Sequence, residues 1–151
     1  MSRSRHSSPA RLVGAVSVLA LLVVACGERE PTVAEAAATL QTHVLRLLKE
    51  RGALNVRVTD PGGKDIPCGE DRAKRTFAAT GEGAEPEMDP GSMNDLLVGA
   101  LGRTADHKYH FSDPMAKPFR LVNEVTRTVL VLDSVTGRYV VRGETECLSL
   151  S

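Results

Sequence analysis

The chain has 151 residues, with 19 basic and 19 acidic side chains and a formal net charge of zero. Its five aromatic residues comprise three Phe and two Tyr, and there is no Trp, which leaves little material for the aromatic platforms of a glycan-binding surface. Charge is unevenly placed: Arg3, Arg5 and Arg11 precede an uncharged stretch from Leu12 to Val24, and no acidic residue occurs before Glu28.

A positively charged head followed by a 7- to 15-residue apolar run has the proportions of a secretory signal. At thirteen residues the run falls well short of the roughly 20 that a permanent helical span needs. It ends in Val23-Val24-Ala25-Cys26, then Gly27. These four residues resemble the lipobox of bacterial lipoproteins, with Val23 where leucine is usual. The resemblance implies that Cys26 receives a diacylglycerol thioether and becomes the first residue of the mature chain, residues 1–25 being the cleaved signal. An ordinary secreted protein, an uncleaved anchor and a buried helix are the alternatives. In its general Ala/Arg/Val/Gly-rich character the chain is similar to small lipoproteins of high-GC Gram-positive bacteria, a likeness that transfers no catalytic residue. Two acyl chains anchor a protein stably where one does not. Residues 26–31 are then a lipidated N-terminus and short tether, and 32–151 a single extracytoplasmic domain. Five extended residues reach about 20 Å at most, so a partner is expected close to the membrane. Loss of three arginines leaves 16 basic against 19 acidic residues, which disfavours nucleic acid as a partner.

With Cys26 assigned to lipid, Cys68 and Cys147 remain. In an oxidising compartment an even pair in a small domain is expected to form a disulfide. A reactive thiol is the rival, but neither a Cys-x-x-Cys pair nor a positioned base is visible.

The first predicted element is a helix over 33–50. Thr32 and Glu35 form a capping box, Val33, Ala37, Leu40, Val44 and Leu47 or Leu48 recur along one side, and Gly52 marks the stop. The stripe is read as core in preference to a partner-binding face. Leu54, Val56 and Val58 alternate with polar residues and predict a half-buried strand ending in the turn Asp60-Pro61-Gly62-Gly63. Residues 72–80 predict a second strand, with Ala73, Phe77 and Ala79 on one side and Arg75 discordant among them. The segment 81–90 reads as a loop. Ser92 and Asp95 suggest a capping box for a helix over 93–101, ended by Gly102.

The last third predicts β-structure. Ala105, His107, Tyr109 and Phe111 occupy one side of a strand, with Asp106, Lys108 and His110 on the other. Further strands are expected at 119–123, at 128–132, whose continuous apolar run suits a strand deep in a sheet, and at 139–142 beyond a turn at 134–138. The order α-β-β-α-β-β-β-β predicts an α+β, two-layer fold: a mostly antiparallel sheet with two helices on one face, pinned by one disulfide.

Candidate chemistry is sparse. His107 and His110 have metal-like spacing, with Asp106 and Asp113 nearby, but residues three apart in a strand face opposite ways. Glu82, Glu85, Glu87 and Asp89 form an acidic cluster without the oxygen spacing of a calcium loop and read as a solvated loop. Gly62-Gly63-Lys64 lacks the remainder of a phosphate loop, and Ser92 lacks a nucleophile-elbow context. His43 belongs to the first helix, with no evident triad partner. The expected catalytic, cofactor and metal sets are therefore empty. The leading expectation is a membrane-anchored, non-catalytic accessory module that binds an envelope protein. The alternatives are a small-ligand carrier with a cavity lined by Leu40, Val44, Leu97 and Phe111, and a hydrolase assembled from residues distant in sequence.

Overall fold

The computed structural model describes residues 29–104 and 108–151. Cys26, the apolar run before it, Asp106 and His107 lie outside the described residues. Among the described residues no helix is long and apolar enough to cross a membrane.

Helix α1 spans Val33–Glu50. Its N-terminus is closed by the capping box: Glu35 N–H donates to Thr32 Oγ1 at 3.3 Å and Thr32 N–H to Glu35 Oε2 at 2.8 Å, satisfying two donors that no helical turn can reach. At the other end Gly52 takes φ +63°. Gly52 N–H donates to the Lys49 carbonyl and Ala53 N–H to the Leu48 carbonyl, at 2.9 and 3.0 Å, the paired bonds of a Schellman stop. The buried stripe is Val33, Ala36, Leu40, Val44, Leu47 and Leu48. Ala36 replaces the expected Ala37, and both leucines at 47 and 48 are inside.

Strands β1 (Leu54–Asp60), β4 (Thr76–Glu82), β5 (His110–Phe111), β6 (Phe119–Asn123), β7 (Thr128–Leu132) and β8 (Arg138–Thr145) form a sheet in the order β1-β4-β8-β7-β6-β5. Every pairing in it is antiparallel. The α+β architecture is as expected, with α1 seated on β4 and β8 and helix α2 (Pro90–Thr104) packed on α1 and β8. Registers align Phe77, Gly143, Leu130 and Leu121 in one row, and Ala79, Val141, Leu132 and Phe119 in the next. Both rows face the helices and belong to one core cluster with Leu40, Val44, Leu47, Leu48, Met93, Leu97 and Tyr139, Gly143 alone contributing no side chain. Gly143 is the point of closest approach: a Cβ there would overlap Leu40 Cδ1 and stand 3.1 Å from the Val129 carbonyl oxygen.

Three expectations need correction. Leu54, Val56 and Val58 are exposed rather than half-buried, because β1 ends the sheet while α1 centres on β4 and β8. The strand expected over 72–80 breaks at Arg75 into β3 (Arg72–Lys74) and β4. Arg75 sits at that corner, its guanidinium 2.6 Å from Asp65 and its backbone exchanging hydrogen bonds with Thr145. The second helix starts at Pro90 with Asp89 as its cap, which accepts from the Ser92 N–H at 3.0 Å and the Ser92 hydroxyl at 2.7 Å. It continues past Gly102 to Thr104, where the Arg46 guanidinium donates to the Thr104 carbonyl and Arg103 pairs with Glu50, tertiary contacts that outweigh the glycine's low helix propensity. The acidic segment is the expected exposed loop from residue 83, where β4 has ended, and it is held at two points. Gly83 N–H donates to the Gly137 carbonyl and Gly137 N–H to the Met88 carbonyl, at 2.8 and 2.9 Å, tying it to the β7–β8 turn.

A second, three-stranded sheet was not anticipated. Strands β2 (Ile66–Gly69), β3 and β9 (Leu148–Ser149) pair antiparallel in that order. Cys68 and Cys147 form the expected disulfide, with Cα atoms 6.0 Å apart and 79 positions between them in sequence. Leu148 completes a small apolar cluster with Val33 and Ala36, so the C-terminal strand closes beneath the start of α1.

Candidate functional site

Among the described residues both helices lie on one side of the sheet, and its other side is built by the residues that alternate with the core rows. Register places Ala78, Arg142, Val131 and Arg120 in one transverse row, and Thr76, Glu144, Val129 and Val122 in the next. Side chains directly opposite on antiparallel strands stand within about 5.5 Å at Cβ, so the sheet dictates which charges meet. Glu144 receives Arg120 Nη2 at 3.0 Å and Lys74 Nζ at 3.1 Å, while Arg142 pairs with Asp133 at 2.5 Å. Partial burial pushes the Glu144 carboxyl upward, but the hydrogen bonds from Arg120 and Lys74 outweigh it and hold the group below its ordinary range. Beside this network Asp60 accepts from the Thr76 hydroxyl at 2.6 Å and the Gly62 N–H at 2.9 Å. Those two bonds likewise lower its pKa. Between them lies an open concavity of about 480 Å³, lined by Asp60, Thr76, Arg120, Val131, Arg142 and Glu144 among others.

A second polar constellation lies on the helix side. His43 Nδ1 is 3.0 Å from the Tyr109 hydroxyl, which is 2.8 Å from Thr128 Oγ1, itself 2.8 Å from Thr126 Oγ1. The His43 and Tyr109 rings meet edge to face at 5.6 Å. Sequence placed Tyr109 inward but gave no sign that His43 would find it, 66 positions away. Burial pushes the Tyr109 phenol up to about 12, against hydrogen bonds from Thr128 and Thr126 that lower it. An unfolded-chain tyrosine ionises near 10, so between pH ~10 and ~12 the unfolded chain releases a proton that the native state retains. Native stability is fully present below that window and falls through it, by an amount of order 2–3 kcal/mol. Tyr109→Phe should flatten that alkaline decline in denaturant-melt series, although it also loses the hydroxyl contacts at neutral pH. An unchanged alkaline slope would show that the phenol does not carry it.

The other sequence candidates fall apart in space or into structural roles. Ser92 Oγ donates to the Asp89 cap. His110 is exposed, 3.8 Å from Glu124. Among the described residues no group of three His, Cys, Asp or Glu side chains could hold a metal ion. Leu40, Val44 and Leu97 do come together, fully buried in the larger core cluster, and Phe111 packs at its margin. Arg127 is a contact sequence did not suggest, pairing with Glu30 at 2.8 Å and Glu146 at 3.1 Å. With the Arg29–Glu35 pair at 2.7 Å, it lays the supposed tether residues 29 and 30 against the domain.

Chemically, the open face offers paired, partly exposed charges around a shallow apolar floor. Such a surface is suited to broad polar contact. Comparison with protein-family models, with curated proteins and with solved structures returns no match to this chain.

Proposed function

We propose that the protein is a membrane-anchored extracytoplasmic lipoprotein, held through lipid on Cys26, that acts without catalysis as a protein-interaction module of the cell envelope. The observation supporting this reading is the uncovered face of the six-stranded sheet: both helices lie on the other side, while this face carries the Lys74–Glu144–Arg120 and Arg142–Asp133 pairs around a broad concavity. The lipobox resemblance supplies the anchor. With Glu30 paired to Arg127, the chain from Cys26 to that contact can reach no more than about 14 Å, so the partner is sought beside the bilayer.

Two measurements on the native protein test the reading. Intact mass should show a mature chain that begins at a diacylglycerol-modified Cys26. A photo-crosslinking residue at position 131, on the open face, should capture one reproducible envelope protein in cells, while the same residue at position 41, on the exposed side of α1, should not. An unlipidated mature chain removes the anchor from the proposal. Indistinguishable adducts at 131 and 41, or none at 131, remove the interaction surface.

A further inference from the structure

Three of the eight large apolar side chains exposed among the described residues lie in one strand: Leu54, Val56 and Val58 are 57%, 42% and 48% accessible. That strand, β1, is the end of the sheet and pairs only with β4. Among the described residues no strand meets the backbone donors and acceptors of its far side, the template on which extended segments add.

The chemistry beside it is specific. Val58 registers with Ala79 and so shares the helix side of the sheet, and Val56 approaches Gly81 on that same side. Arg57 registers with Thr80 on the opposite side. There a notch of about 130 Å³ is lined by Asn55, Arg57, Thr80, Glu82 and Arg138. Glu82 is engaged by Asn55 Nδ2 at 2.8 Å. Among the described residues neither Arg57 nor Arg138 is in an ion pair. The notch therefore holds two uncommitted guanidinium groups against one occupied carboxylate.

We propose that β1 is a docking edge for a short extended segment of a partner protein in which apolar residues flank an acidic one. The apolar residues would lie along Val56 and Val58, and the carboxylate would enter the notch between Arg57 and Arg138. The inference rests on the protein-interaction reading above and names its partner's chemistry.

A second copy of this chain fits the edge less well. Antiparallel self-pairing centred on Arg57 sets that cation against its own copy, and like charges directly opposite destabilise a strand pair. Register shifts between Leu54 and Arg57 and between Val58 and Asp60, with Asn55 at φ +48°, interrupt the regular edge on both sides, a device that restrains long edge-to-edge association.

The test uses the full exported protein in detergent and two labelled peptides, Thr-Val-Glu-Val-Thr and Thr-Val-Lys-Val-Thr, followed by fluorescence anisotropy. The glutamate peptide should bind at least tenfold more tightly than the lysine peptide. Arg57→Glu should reverse that preference, and Arg138→Gln, a milder surface change, should weaken the glutamate peptide severalfold, with thermal melts confirming that both variants fold. Equal binding of the two peptides, absence of binding, or a preference unaffected by either substitution overturns the proposal. So does concentration-dependent dimerisation that Arg57→Glu abolishes but the glutamate peptide cannot compete away, which would assign the edge to a second copy. If position 131 crosslinks in cells while the peptides fail, the edge assignment falls and the interaction module stands. Peptide binding without any crosslink in cells leaves the edge and removes the envelope partner.

Discussion

Replacing Cys68 and Cys147 together by serine is expected to lower the unfolding free energy by about 4 to 5 kcal/mol, the loop-closure entropy of an 80-residue ring in the chain-entropy model. Reduction of the native bridge should have the same effect. The bond joins β2 to the residue before β9, and the three-stranded sheet has few other ties: β3 and β9 share only two register pairs. Loss of the bridge therefore removes both a restraint on the unfolded chain and the closure that seats Leu148 against Val33 and Ala36. Paired urea denaturation curves of the oxidised and reduced protein measure it. A difference below about 1 kcal/mol would mean that the unfolded chain is already restricted by other contacts.

The second large effect concerns Leu40 and Gly143, and its signature is non-additivity. Leu40→Ala should cost about 2–5 kcal/mol, through lost burial and the space left behind. Gly143→Ala should cost about 1–3 kcal/mol by overpacking, because the added methyl would stand 2.4 Å from Leu40 Cδ1. In the double variant the alanine at 143 fills part of the vacated space, so the combined loss should fall short of the sum by at least about 1 kcal/mol. Strict additivity in a double-mutant cycle would mean that α1 does not rest on β8 at this point.

The elements that sequence disclosed were those whose signals are local. Thr32 with Glu35 and Gly52 bracketed α1 because caps act within one turn, and the apolar run Val129 to Leu132 marked an interior strand. Other features depend on where the chain has already gone. The alternation of Leu54, Val56 and Val58 correctly gave a pleated strand, yet alternation says nothing about whether a helix will cover either side. Arg75 was discordant in a continuous strand because the chain changes sheets there, and its partners, Asp65 and Thr145, are supplied by distant segments. Ser92 drew the helix start three residues late, since Asp89 and Pro90 together make a stronger beginning than the Ser-x-x-Asp spacing suggested. The open face was invisible for the same reason. Arg120, Glu144 and Lys74 become neighbours only when β6, β7, β8 and the β3–β4 corner align, and the arginines of the β1 notch are 81 positions apart.

The covalent ring closed by Cys68 and Cys147 encloses every element from β3 to β8 and leaves α1 and β1 outside it. Between Arg29 and β1 the covalent chain runs wholly outside the ring, so a mechanical load applied at those two points would pull on unstapled chain. It would be borne by the Leu40, Val44 and Leu47 contacts of α1 and by the β1–β4 ladder, while the enclosed strands stayed short and folded. Under tension the chain would behave as a cross-linked block with a peelable N-terminal arm, and that arm holds both the proposed lipid attachment and the proposed docking edge.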